Sequence, residues 1–368
     1  MKTLSGNRKR VLFILPSLSP GGAERVLITL MNGLNKSRFS PSLISVMPKA
    51  GLDTLVDKEI LIRRLNKGGV LRALPALRKK IKEAHPDIIV STMAHMNFAV
   101  LLLKPFFPDI KFIVREAITP SFFFQKKGPR ALLVKLGYKL LYKRADALIA
   151  PSDIILDEFK NKLRIEHPNY ILLKNPVDTD ALLAKTGTPN FDDTLKFVAA
   201  GRLHPQKGFD RLIVALKDFQ PDANWRLDIW GEGEQRDALF ALIAENGLGN
   251  KITLRGHTDN PWQYYATADC LLLPSRWEGL PNVVLEALAC GTPIIAMNEA
   301  GGIGEIAAKT EAGVVRIAHS MNEFTTMMQT ARQKTSIESL LPDAFRKQNI
   351  EKQFEELLFR IAYLKETK

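Results

Sequence analysis

The sequence predicts an α/β chain of two domains, each built on a parallel sheet, and three observations carry that expectation. Short apolar, β-branched runs alternate with stretches of helical periodicity from one end of the chain to the other. Glycine-rich loops stand where several of those runs pass into helices. The 368 residues, 46% hydrophobic and 25% charged, suffice for two cores of ordinary size.

Charge divides the chain. Residues 1–170 carry 30 Lys and Arg against 13 Asp and Glu, a net of +17, whereas 171–368 carry 22 against 26, a net of −4. A basic half joined to a nearly neutral one implies an anionic partner for the first half, with nucleic acid and anionic lipid as the two candidates. The two cysteines, Cys270 and Cys290, lie in apolar settings. No disulfide framework is expected, and a reducing cytosol is the natural compartment. No apolar run approaches the 18 residues of a membrane-crossing helix. The run Val11–Leu15 is too short for the core of a signal peptide and leads into a glycine turn instead of a cleavage site.

Taken in order, Arg10–Leu15 reads as the first strand. Gly21-Gly22 follows, then a helix from Ala23 with Val26, Leu27, Leu30, Met31 and Leu34 on one stripe. The glycine pair allows close backbone approach to a ligand at the helix start, or simply a tight turn. Strands are expected at Leu43–Met47, Asp87–Ser91 and Phe112–Arg115, with a strongly basic stretch at Arg63–Lys82 between the first two. Phenylalanines cluster at Phe106-Phe107 and Phe122-Phe123-Phe124. The stretch Lys126–Asp146 then places Leu132, Leu133, Leu136, Leu140 and Leu141 among Lys135, Lys139, Lys143 and Arg144. That composition suits a helix lying in an anionic membrane interface, the alternative being a basic helix packed on its own sheet. Strands follow at Ala147–Ala150 and Tyr170–Leu173.

Asp178-Thr179-Asp180 spells the D-x-D string that holds a divalent cation in some transferases, but here it reads as linker, and no metal is expected. The second domain opens with a strand at Leu195–Ala199 that runs into Gly201-Arg202-Leu203-His204-Pro205-Gln206-Lys207-Gly208. Arg202 and Lys207 are suited to a diphosphate, one as a fork and the other as a point charge, unless both are merely solvated. Gly231-Glu232-Gly233 lacks the third glycine of a dinucleotide fingerprint, because Arg236 stands there. Gly256 closes a further strand, a turn placed to lie beneath a nucleobase, and Trp262, Tyr264 and Tyr265 pack a helix on the core. Cys270–Leu273 is a buried strand, followed by a loop with Glu278, Gly279 and Leu280, and a helix from Asn282 to about Ala289, with Pro281 in its first turn. Glu278 can aim at a ligand over the helix end and Glu286 can reach a hydroxyl pair such as a ribose; as isolated residues both could equally be solvated. Gly301-Gly302 marks another loop-to-helix junction, and Ala344–Leu364 reads as a helix with Phe354, Leu357, Leu358 and Ile361 on one face.

The G-R-x(4)-K-G string at Gly201–Gly208 and the E-x7-E string at Glu278–Glu286, some 70 residues apart, together resemble the retaining glycosyltransferases of family 4. The resemblance covers most of the chain and is strongest over 195–310. It implies the GT-B fold: two Rossmann-like domains facing a central cleft, with a C-terminal helix crossing back to the N-terminal domain. The expected boundaries are 1–172, 173–345 and 346–368. It implies a nucleotide-sugar donor held by Gly21, Gly22, Arg202, Lys207, Gly256, Glu278, Gly279, Leu280, Asn282 and Glu286. Within that set, Arg202 and Lys207 would neutralise the leaving diphosphate without metal or other cofactor, Glu286 would hold the ribose, and Glu278 would orient the sugar. The family often carries a histidine and an asparagine after the strand at Phe112–Arg115; here Arg115-Glu116 is followed by Ala117 and Ile118. Arg115, Glu116 and His95 are therefore the acceptor-side candidates, and the histidine's role is not carried over.

The expected activity is metal-independent, retaining transfer of a hexose or N-acetylhexosamine, preferably UDP-linked, to a glycan or lipid-linked acceptor. The expected location is the inner face of the cytoplasmic membrane, bound peripherally. Nucleic acid is not the expected partner, because it leaves the phosphate loops without a use. The rival readings are a non-catalytic nucleotide-sugar-binding module and another GT-B enzyme such as a UDP-sugar epimerase.

Overall fold

A computed structural model of the chain describes residues 8–124, 128–187, 193–334 and 336–363. They form two compact units, one holding the chain up to Pro176 together with the residues from Gln348 onward, the other holding Val177–Lys347.

The first unit is a seven-stranded sheet, parallel throughout, with strands β1 (Lys9–Leu15), β2 (Phe39–Ser45), β3 (Leu61–Arg64), β4 (Ile88–Thr92), β5 (Lys111–Arg115), β6 (Ala147–Ala150) and β7 (Tyr170–Leu172) in the order β3-β2-β1-β4-β5-β6-β7. Its helices are α1 (Gly22–Asn32), α2 (Leu74–Ala84), α3 (Ala94–Leu103), α4 (Pro129–Leu141) and α5 (Asp153–Asp157), the last running on as a π-helical turn at Glu158–Lys162. Both sheet faces are covered, so the inner strands read as continuous apolar runs. On β1, Val11, Phe13 and Leu15 face a core with α1, while Leu12 and Ile14 face a second core with α2, α3 and α4. β3 was hidden in the basic stretch. It is an edge strand, and charge such as that of Arg63 and Arg64 is how edges avoid pairing with other chains.

The second unit has six parallel strands: β8 (Leu195–Ala200), β9 (Trp225–Trp230), β10 (Ile252–Gly256), β11 (Cys270–Leu273), β12 (Ile294–Met297) and β13 (Val315–Ala318). Their order is β10-β9-β8-β11-β12-β13. Its helices are α6 (Thr179–Leu183), α7 (Phe209–Ala215), α8 (Arg236–Glu245), α9 (Trp262–Thr267), α10 (Asn282–Ala289), α11 (Ile303–Ala307) and α12 (Met321–Gln329). Trp262 and Tyr265 are buried in the core under α9, while Tyr264 stacks on Trp230 with centroids 3.8 Å apart. β13 was not foreseen, being a four-residue edge strand interrupted by Arg316. Cys270 and Cys290 are free, buried thiols, and burial pushes both up to about 12.

Helix α13 (Lys347–Tyr363) belongs to the first unit. Its residues Ile350, Phe354, Leu357, Leu358 and Ile361 are buried in the α1-side core, and the Phe354 ring lies 6.3 Å from that of Phe13. Ala344, expected inside this helix, instead lies in a short 3-10 turn at Asp343–Phe345. No described helix is long and apolar enough to cross a membrane.

Candidate active site

In the second unit, β8 ends at Ala200 and the chain turns through Gly201 into the loop that precedes α7. Lys207 lies along Gly201, whose added Cβ would come within 2.8 Å of the lysine Cε. The ammonium of Lys207 reaches Glu278, with Nζ 2.6 Å from Oε1 and both side chains largely buried. Ser275 Oγ donates to the same oxygen at 2.8 Å. Arg202 is exposed and makes no ion pair among the described residues. The cation pair expected from the sequence is therefore one engaged lysine and one arginine open to an anion.

The loop carrying Glu278 follows β11 and packs directly on this one. Gly208 has φ +68°, and a side chain there would collide with the carbonyl oxygen of Pro274. Gly301, with φ +60°, allows the main chain before α11 to lie against the carbonyl of Glu278. Gly302 N then donates to Gly279 O at 2.8 Å. Only glycine combines that backbone conformation with such an approach. The two loops are also sewn together by polar bonds. Arg276 N donates to Gln206 O at 2.8 Å, and Gln206 Nε2 donates to Trp277 O at 3.0 Å.

Three residues without a place in the expected site complete this seam. The Arg276 guanidinium grips Asp210 with two bonds of 2.7 Å and donates to Pro205 O at 2.8 Å. Arg211 donates to Pro274 O and Ser275 O, each at 2.9 Å, and to Glu299 at 2.6 Å. The Arg276 hydrogen bond holds the Asp210 carboxyl below its usual range. Their signal in the sequence was position: Asp210 and Arg211 stand three and four residues after Lys207, and Arg276 stands two residues before Glu278.

Among the other expected donor residues, Pro281 is the N-cap of α10 with extended backbone, one position earlier than anticipated, and Asn282 opens the helix. Glu286 is half-buried on that helix. Leu280 is packed in the apolar core, which leaves its main chain as the part it can present. Gly256, with φ +81°, ends β10 and accepts a bond from Gly231 N at 2.8 Å. Asp178 is a capping group, accepting from Ala181 N at 3.1 Å and pairing with Lys347 at 2.7 Å.

The remaining candidates lie in the first unit. Gly21 caps α1, and the space that its side chain would need is filled by the carboxylate of buried Glu24. His95 is exposed in the first turn of α3, directly after the turn at Met93, a non-glycine residue with φ +71°. Such a conformation marks a local constraint at the end of β4. Arg115 and Glu116, in contrast, are fully buried. Tyr142 donates its hydroxyl to Glu116. Asn97 Nδ2 lies 3.1 Å from that carboxyl and 2.9 Å from Arg115 O, and Ser91 Oγ donates to Asn97 at 2.8 Å. Burial pushes the Glu116 carboxyl up to about 7 and the Arg115 guanidinium down to about 10. These two hold the end of β5 in place and offer no side-chain surface to an acceptor.

The basic, aromatic region resolves into a definite face. Leu132, Leu133, Leu136 and Leu140 of α4 are 68%, 67%, 48% and 56% exposed, beside exposed Lys135, Lys139, Lys143 and Arg144. Leu141 departs from the expected stripe and packs inward with Val134, while Tyr138 and Tyr142 are completely buried. Phe106 is exposed with the Arg78 guanidinium 4.0 Å over its ring, whereas Phe107 packs against the core. Lys126, Lys127 and the Phe124 side chain lie outside the described residues.

Two parallel α/β units, one with a lysine–glutamate pair on glycine-locked loops at its strand ends, define the class of GT-B glycosyltransferases. Comparison with known proteins agrees. Residues 20–181 match the family model described as Glycosyltransferase Family 4, and 184–334 match that of Glycosyl transferases group 1. The chain is 33% identical to the lipopolysaccharide core biosynthesis glycosyltransferase LpsE of Rhizobium meliloti, over 76% of this chain and 77% of that one. It is 29% identical, over 85% and 87%, to the N-acetylgalactosamine-N,N'-diacetylbacillosaminyl-diphospho-undecaprenol 4-alpha-N-acetylgalactosaminyltransferase of Campylobacter jejuni. In fold it is similar to HepE of Anabaena solved with UDP and glucose, with TM-score 0.75, 20% identity and coverage of 96% and 100%. The chain belongs to the family 4 type of GT-B glycosyltransferases and is a hexosyltransferase.

Proposed function

We propose that the protein transfers a hexose or N-acetylhexosamine from a UDP-sugar to a lipid-linked or envelope glycan acceptor, with retention and without metal, at the inner face of the cytoplasmic membrane. The observation that carries this is the pairing of Lys207 with Glu278 while Arg202 stays open. A donor diphosphate would engage Arg202 and draw Lys207 off Glu278, so that two cations stabilise charge on the departing phosphate. Glu278, so released, would take a sugar hydroxyl and orient the anomeric carbon. Glu286 on α10 would take the ribose. Retention would follow from front-face attack, with the leaving phosphate accepting the acceptor's proton. HepE was solved with UDP and glucose, which favours a UDP donor. The C. jejuni relative's diphospho-undecaprenol substrate favours a lipid-linked acceptor.

The exposed leucines of α4, ringed by lysines, favour docking on anionic lipid, where apolar burial and charge add. His95, exposed at the end of β4, is the acceptor-side group left in this reading once Arg115 and Glu116 are buried. The test is incubation of purified protein with UDP- and GDP-sugars in EDTA, with membrane extract as acceptor source. Sugar transfer from one donor, lost in the Glu278→Gln/Lys207→Ala variant, is expected. Transfer that requires a divalent cation would overturn the metal-free reading, and binding without transfer would overturn the assigned activity.

A further inference from the structure

We infer that Arg276 and Asp210, backed by Arg211, are positioning residues that set Lys207 against Glu278. This rests on the reading that those two groups handle the donor. The lysine is on the loop before α7 and the glutamate on the loop after β11, 71 residues apart, so no local geometry relates them. The contacts between the loops are what fix their separation. Arg276 is central to them: its main-chain N–H holds Gln206, and its side chain holds Pro205 and Asp210. One guanidinium thereby ties the residues on both sides of Lys207 to a position two residues from Glu278. Arg211 works in the opposite direction, reaching from α7 back to the carbonyls of Pro274 and Ser275.

The Arg276–Asp210 pair is half-buried, with side chains 32% and 37% exposed, and as a two-pronged pair it adds modestly to folding. Stability alone does not account for its place between the two loops. What a two-pronged fork supplies is direction, because a planar guanidinium on a planar carboxylate fixes orientation as well as distance. Lysine at 276 would keep the charge and lose the fork. An arginine–aspartate pair holding two loops in register therefore acts on the geometry of the site, where displacements near 1 Å cost about a hundredfold in rate.

The experiment compares Arg276→Lys, Asp210→Asn and the double variant with the wild type. It measures steady-state kinetics with the donor found above, thermal unfolding, and hydrogen exchange over the peptides containing 203–212 and 272–282 without nucleotide. Each single change is expected to lower kcat/KM for the donor about tenfold or more, with acceptor KM unchanged and melting within about 2 °C of wild type. The double variant should be no worse than either single one, because both remove the same bond. Exchange should accelerate in both peptides when either partner is changed. Donor kcat/KM within twofold of wild type in both single variants, or fully additive losses in the double one, would overturn the inference. A wild type that turns over no nucleotide sugar, with coupled exchange still seen, would sink the donor assignment and leave the coupling of the loops standing. Uncoupled exchange would sink the coupling itself.

Discussion

Lys207 Nζ and Glu278 Oε1 are 2.6 Å apart, so each neutralises the other across two loops that meet 71 residues apart in the chain. If Lys207 holds the donor phosphate as proposed, Glu278 competes for the same ammonium. Glu278→Gln is expected to leave UDP affinity equal or up to about tenfold tighter while transfer falls about a hundredfold or more. Calorimetry with UDP, beside turnover, checks this. Weaker UDP binding in that variant would mean that Glu278 holds the nucleotide directly. Lys207→Ala should weaken UDP and transfer together.

The close approaches at Gly208 and Gly301 are backbone against backbone, so alanine has no side chain to move out of the way. Gly208→Ala and Gly301→Ala are each expected to cost about 1–3 kcal/mol, from strain at positive φ and displacement of the neighbouring loop. Denaturant unfolding reads the stability. Wild-type stability in both would show that the loops yield without cost.

Glu116 gives the first unit a pH signature. Burial raises its carboxyl to about 7 in the folded chain, against an ordinary 4.5. Between those values the folded chain binds the extra proton, so this group's contribution to stability is full below about 4.5 and is lost as pH rises through about 7. Arg115, Tyr142, Tyr138 and Asn97 surround the carboxyl, and Tyr142 and Asn97 are neutral donors to it. Glu116→Gln should flatten the fall in melting temperature between pH 5 and 8, a difference of roughly 2–8 °C. An unchanged slope would place the titration elsewhere.

The α4 face predicts a separable loss. Leu132→Ser/Leu133→Ser/Leu136→Ser removes apolar surface that is about half exposed or more, so melting should fall only slightly. Flotation with phosphatidylglycerol vesicles should weaken about tenfold or more, and binding should be insensitive to added RNA. Flotation indifferent to these leucines would reject α4 as the docking face.

Much of the fold was legible because buried parallel strands are short apolar words, as at Cys270–Leu273, and because the loops at Gly201–Gly208 and after β11 carry their polar residues close together in sequence. β3 and β13 were not legible, since edge strands are allowed charges that erase the signal. The face of α4 was misdrawn at Leu141 because tyrosine is usually a half-exposed residue. Here Tyr142 goes fully inside by giving its hydroxyl to Glu116, a partner 26 residues away. The same distance problem hid Asp210 and Arg276, whose meaning depends on two loops meeting. Arg115 and Glu116 were visible as polar residues at a strand end, but their burial depends on Asn97, Asn175 and Tyr142.

Helix α13 makes the first unit discontinuous in the chain. Its core takes Ile350, Phe354 and Leu358 only after the whole of Val177–Lys347 has been made. On the ribosome the earlier half must wait with one sheet face incomplete, while the later half has every strand it needs in sequence. The order of synthesis and the order of completion are thus reversed, and the apolar surface beside Phe13 is the last part of the first unit to be covered.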